Sequence, residues 1–353
     1  MHKSILLVAF AAFACATRPG VPQVNNVRAI DGLMREYTGN VPGAAVAIVR
    51  DGTVVFERGY GMADLEAGVL ISPHTNFRLA SITKQFTATA IEILAERERI
   101  SYDDPIRRWL PSLPPYASGI TIRHLLTHTS GLLDYEDLIP RARTEQVSDA
   151  DVFQLLAATD HTLFPPGSRY QYSNGGFVLL GLIVERVTGE PLGAFLKREV
   201  FDRAGMANSV LAEPRVAIAN RSYGYTQAGT RWDRRDQSVT SATRGDGAIY
   251  SSVDDLVRWD AALRRATLVR PETLRLAFTP AVATGQPGER YGFGWYLSEH
   301  RGRRMIWHTG DTVSFHNAIV RFDQPELTVI VLTNRDGGDP LALAKAIADL
   351  QLR

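Results

Sequence analysis

Strand-like patterning lies at the two ends of this chain, and helical patterning fills the middle. Ala44 to Arg50 and Thr53 to Arg58 alternate as strands around Asp51-Gly52, a pair suited to a two-residue hairpin turn. Strand-like runs return only at Tyr291 to Leu297, Arg304 to Trp307, Phe315 to Phe322 and Thr328 to Asn334. Val27 to Tyr37 reads as a short amphipathic helix and Phe77 to Arg99 as a long one. Helical periods follow at Ile120 to Leu126, Asp149 to Ala158, Phe177 to Thr188, Leu192 to Val200 and Val253 to Arg264. Pro340 to Leu352 closes as a helix, with Pro340 suited to its first turn. This layout predicts an α+β fold with one antiparallel β-sheet built from both chain ends, flanked by helices and carrying an inserted, mainly helical region. The expected division is a sheet subdomain at about 27–99 and 285–353 and a helical subdomain at about 100–284, all within residues 17–353. The helix that carries Ser81 falls at the seam, where clefts form.

Cys15 is the only cysteine, so no intrachain disulfide can form and the core alone must hold the fold. With 353 residues and 45% hydrophobic content, that core is large. A net charge of +1 gives no reason to expect a nucleic-acid partner or an anionic membrane surface. Residues 1–16 read as an export signal: His2 and Lys3 supply positive charge, and Ile5 to Ala16 is an apolar run too short to span a bilayer. Ala14-Cys15-Ala16 fits a signal-peptide cleavage site. A competing reading takes Ala12-Phe13-Ala14-Cys15 as a lipoprotein site, acylated at Cys15; a frayed cytosolic end is the bland third. The expected location is periplasmic or secreted, with membrane contact only through a lipid on Cys15.

Ser81-Ile82-Thr83-Lys84 sets a hydroxyl and an amine three residues apart, on one face of a helix. A serine needs a neighbouring base to become a nucleophile, and a lysine serves only if its pKa is lowered. The chain has four lysines and 18 serines, so such a spacing arises by chance in about one such chain in five. Partners are therefore needed. Tyr172-Ser173-Asn174 offers a phenol and a carboxamide in a Gly- and Pro-marked loop leading into the Phe177 helix. His308-Thr309-Gly310-Asp311, at the end of a strand, offers backbone for an extended substrate and for an oxyanion. His124 and His128 stand at helical spacing, but no third ligand accompanies them; structural hydrogen bonding is the expected role, with no metal site. No Gly-x-Ser-x-Gly elbow or phosphate-binding loop is present. Arg231 to Asp236 reads as a solvated loop, and Arg301-Gly302-Arg303-Arg304 as a hairpin tip.

In this order the motifs resemble those of the penicillin-recognising serine hydrolases, in the branch of class C β-lactamases, D-alanyl-D-alanine carboxypeptidases and β-lactamase-like esterases. Ser81 to Lys84, Tyr172 to Asn174 and His308 to Gly310 match the three family motifs. His124 to Leu132 and Gly245 to Ser252 match two further segments. The resemblance covers roughly Gly43 to Asn334. It implies a β-lactamase/transpeptidase-like fold, with Ser81 as the acylated nucleophile and Lys84 as its base. Tyr172 would pass the proton, Asn174 would orient Lys84 and the substrate, and His308 would support Tyr172 electrostatically. The backbone N–H groups of Ser81 and Asp311 would form the oxyanion hole. Whether lysine or tyrosinate is the base stays open.

The resemblance implies an exported serine hydrolase with no metal or cofactor, acting through an acyl-enzyme on D-alanyl peptides, short esters or β-lactams. An idle member that binds cell-wall peptide or scaffolds envelope proteins is the alternative. Class C β-lactamases usually carry lysine at the position of His308, a weaker cation at neutral pH. Asp311 is expected to point outward or to pair with a cation such as Arg304. The segment from Asp134 to His161 is expected to line the pocket.

Overall fold

The Asp51-Gly52 turn has positive φ at both residues, 50° and 73°, as a type I′ hairpin requires. It joins β1 (Ala44–Arg50) to β2 (Thr53–Tyr60). The computed structural model describes residues 26–214 and 216–352, so the signal and Cys15 readings lie outside the described residues. Six more strands complete the main sheet: β3 (Val282–Ala283), β4 (Arg290–Tyr291), β5 (Tyr296–His300), β6 (Arg303–Thr312), β7 (Phe315–Phe322) and β8 (Leu327–Thr333). Their order is β3-β4-β5-β6-β7-β8-β1-β2, and every pairing is antiparallel. The two chain ends meet where β1 pairs with β8, from Ala44↔Thr333 to Arg50↔Leu327. The fold is α+β, as the sequence predicts.

Side chains on β1 and β8 alternate between two cores, the period-2 consequence of the pleat. Ala44, Val46, Ile48, Val329 and Val331 face one core with α1 (Val27–Leu33) and α8 (Pro340–Gln351). Ala45, Ala47, Ile330 and Leu332 face the larger core with α2 (Thr83–Glu96). That core also takes in α3 (Ile122–Leu126), α4 (Tyr135–Leu138), α5 (Asp149–Ala157), α6 (Asn174–Thr188) and α7 (Val253–Arg264). Both faces of the central strands are therefore covered, which explains their unbroken apolar runs.

Four sequence expectations are corrected. The long helix from Phe77 is three elements: a strand, Phe77–Arg78, paired with Tyr250 and Ser251, then a 3₁₀ turn at Ala80–Ile82, then α2. Ala80 has φ 48°, a left-handed backbone that helical periodicity does not reveal. The run Tyr291 to Leu297 is the hairpin of β4 and β5, broken where Gly294 takes φ 77° and where a Cβ on Gly292 would stand 2.2 Å from the Ala277 carbonyl. Arg231–Arg234 is a strand paired with Tyr225–Ala228, not a loop, and Arg234 reaches across to Asp64 at 2.7 Å. The strand expected at Arg304 to Trp307 runs from Arg303 to Thr312, so His308 to Asp311 form its last part and do not follow it.

Candidate active site

Ser81 sits in the 3₁₀ turn just ahead of α2 and is partly exposed. Two contacts fix that turn. Thr83 Oγ1 accepts the Ile249 N–H at 3.2 Å. On the other side β6 presses in so closely that a Cβ on Gly310 would stand 1.9 Å from the Leu79 carbonyl oxygen. Only glycine fits there. Asn317, paired with Gly310 across β6 and β7, donates from Nδ2 to the Arg78 carbonyl at 2.9 Å and accepts the Thr333 N–H at 3.1 Å. It ties three sheet strands to the segment that carries the serine.

Lys84, one turn on, is buried. Its Nζ donates to Ser81 Oγ at 3.0 Å, to Asn174 Oδ1 at 2.8 Å and to the Asp246 carbonyl at 3.1 Å. The ammonium's three donors are all used. Burial pushes its pKa down to about 8, against the opposing pull of Asp246, Glu136 and Asp134. Asn174 begins α6, whose N-cap Ser173 accepts the Gly176 N–H at 3.1 Å. Glu136, in α4, accepts from Asn174 Nδ2 at 3.0 Å. That bond assigns the amide: its oxygen faces the lysine and its nitrogen faces the carboxylate.

The Tyr172 ring lies 4.9 Å from Lys84 Nζ. Burial holds its phenol well above pKa 10, and the neighbouring Ser81 hydroxyl lowers it only in part. The phenol is therefore protonated at rest and not a standing anion. His308 is 1% exposed. Its Nδ1–H donates to the Thr309 carbonyl at 2.5 Å, so Nε2 is left to accept the Tyr291 hydroxyl at 3.0 Å. Burial drives its pKa down to about 3. The expected electrostatic support of Tyr172 by His308 is thus corrected, because the imidazole is neutral and its proton is committed elsewhere.

Thr309, Gly310 and Asp311 follow on β6. The neighbouring strand β5 pairs with β6 only as far as Trp307, which leaves the edge from His308 onward unpaired by β5. Such an edge can receive an extended substrate. Asp311 points outward, as predicted, but its partner is His316 Nδ1 at 2.8 Å; Arg304 is engaged with Asp323 at 2.9 Å. His124 and His128 act structurally. Nδ1 of His124 accepts the Thr121 N–H at 3.2 Å, and Nδ1 of His128 accepts the Ser173 N–H at 3.1 Å.

The structure therefore gathers Ser81, Lys84, Tyr172 and Asn174 and sets the strand of His308 to Asp311 beside them. The sequence did not single out Glu136, Asp246, Tyr291 or Asn317. Asp246 stood inside a recognised glycine-rich segment and Glu136 inside the segment expected to line the pocket, whereas Tyr291 and Asn317 lack any short-range signal of a site.

An α+β fold with this site defines a serine hydrolase. Residues 27–352 match the Beta-lactamase family model, and the chain belongs to that family. It is 30% identical to penicillin-binding protein 4* of Bacillus subtilis, over 82% of this chain and 68% of that protein. It is 29% identical to a D-aminopeptidase of Gluconobacter oxydans, over 91% of this chain and 60% of that protein. The chain thus spans about three fifths of the D-aminopeptidase it matches. A penicillin-binding protein homologue from Pyrococcus abyssi, described as octameric, superposes with a TM-score of 0.83 at 26% identity, over 93% of this chain and 78% of that one.

Proposed function

We propose that this chain hydrolyses small amides and peptides, and short esters by the same route, through an acyl-enzyme on Ser81. The observation that carries this reading is the 3.0 Å contact between Ser81 Oγ and a buried Lys84 amine whose pKa is about 8. Amide and peptide substrates are favoured by the relatives named D-aminopeptidase and penicillin-binding protein.

Neutral Lys84 takes the Ser81 proton as Oγ bonds to the substrate carbonyl carbon. The backbone N–H groups of Ser81 and Asp311 receive the negative charge on the carbonyl oxygen. As the C–N or C–O bond breaks, the Lys84 ammonium returns its proton through the Tyr172 hydroxyl to the leaving atom. Water then attacks the ester on Ser81, and the same groups move its proton in reverse. Lys84 is the base in this scheme, because the phenol of Tyr172 stays protonated far above neutral pH.

A fluorophosphonate should label the protein at Ser81, located by mass spectrometry, and Ser81→Ala should abolish the adduct. Labelling that survives the substitution would overturn the assignment.

A further inference from the structure

A cavity of about 830 Å³ is walled mainly by the start of α5, by residues 212–221 and 237–244, and by Arg78 and Tyr250. Its lining includes none of Ser81, Lys84, Tyr172 or Asn174, and nothing from β6. The three arginines that face it are not alike. Arg244 is surrounded by Asp149 at 2.7 Å, Glu185 at 3.1 Å and Glu213 at 3.5 Å. Arg221 pairs with Asp236. Arg78 is 4% exposed, and among the described residues it takes only neutral acceptors: Gln237 Oε1 at 3.2 Å and the Ser241 carbonyl at 2.8 Å. Its Nε has no partner. The acid that answers its charge is Asp246, and Lys84 draws on the same carboxylate. A buried cation without a counter-ion of its own is costly, so this end of the cavity calls for an anion. Pro214, Val216 and Ile218 add apolar lining.

We propose that this cavity is a second ligand site, which takes a small organic carboxylate with an apolar body: the carboxylate at Arg78, the body along Pro214, Val216 and Ile218. One negative charge is what the walls admit. Asp149 and Glu213 face the same space from the Arg244 side and oppose a dianion. The inference goes beyond hydrolysis and does not depend on Ser81 being a nucleophile.

Calorimetric titration of the full chain with benzoate tests this, with benzamide as the uncharged counterpart. Benzoate should bind at one equivalent per chain with a Kd of about 1 mM or tighter, and benzamide at least about 10-fold more weakly. Prior labelling of Ser81 with a fluorophosphonate, which fills the catalytic cleft, should leave benzoate binding unchanged. Arg78→Gln should weaken it by at least about 10-fold. Arg78 also leads into the serine turn, where its carbonyl holds Asn317 Nδ2 at 2.9 Å, so a second variant reads the site from another wall. Val216 is 40% exposed, and Val216→Glu places a carboxylate against the cavity. It should weaken benzoate by a similar factor while Tm holds. The inference is overturned if benzoate does not bind, if benzamide binds as well, if the label abolishes binding, or if Val216→Glu binds as wild type does. Failure of the label to attach counts against the hydrolase reading alone, and the two variants still decide the site.

Discussion

At the scale of single residues, the decisive quantity is the proton affinity of Lys84. An amine with a pKa of about 8 is roughly one-tenth neutral at pH 7, against roughly three parts in ten thousand at the ordinary lysine value. Because the base must be deprotonated to act, kcat/KM should rise with pH and level off above about 8. A pH–rate profile that stays flat from about pH 6 to about pH 9 would contradict Lys84 as the base. Ser81 and Lys84 were legible from their spacing, whereas Tyr172 and Asn174, which alone read as a helix-capping turn, were legible only through the order of motifs that the resemblance rests on. The charge state of His308 was not. It depends first on burial and then on the nearby charge of Lys84, neither of which leaves a mark near the third motif. Glu136 and Asp246 escaped for the same reason: a carboxylate becomes part of a site through its neighbours in space.

At the scale of elements, the turn before α2 and the strand β6 act as a matched pair. Gly310→Ala would push a methyl group onto the Leu79 carbonyl, at a Cβ–oxygen separation of 1.9 Å before relaxation. Backbone must move to relieve that contact, at a cost of about 1–3 kcal/mol for an overpacked site. The variant should lose at least about 100-fold in turnover of a p-nitrophenyl ester, because small misplacements of reacting groups are expensive. Its Tm should fall as well. Near-normal turnover would show that β6 does not set the serine's position. Sequence periodicity found α7 and β7 at their observed bounds, since each shows its own period with clear ends. It ran Phe77 to Arg99 together because a strand of two residues and an alanine at positive φ leave no periodic trace.

At the scale of the whole molecule, a buried ionic group fastens the helical layer to the sheet. Asp260 of α7, which is fully buried, accepts from Arg321 Nε of β7 at 2.8 Å, from Arg264 Nε at 2.7 Å and from Thr328 Oγ1 of β8 at 2.7 Å. Burial alone would raise its pKa, but Arg321 and Arg264 outweigh that and hold the carboxyl below the usual aspartate value. The sign follows: its contribution to stability is present above the unfolded-state aspartate pKa and is lost as pH falls through the lower folded value. Asp260→Ala strands the buried guanidinium of Arg321, while Arg264 keeps Glu326 and Thr328, so it should cost about 3–5 kcal/mol, read as a shift in the urea midpoint. A shift below about 1 kcal/mol would mean the layers are held by apolar packing alone. The both-ended sheet was legible because its strand patterns lie only at the chain's extremes. The way β1 and β8 divide their side chains between two cores was not, since an all-apolar run does not say which residue faces which way. The pairing of Arg50 with Leu327 also sets a timetable. During synthesis Ser81 and Lys84 emerge well before β8, the partner that seals the first hairpin into the sheet. Until β8 docks, the hydroxyl and the amine stand in open water, where the amine keeps its proton.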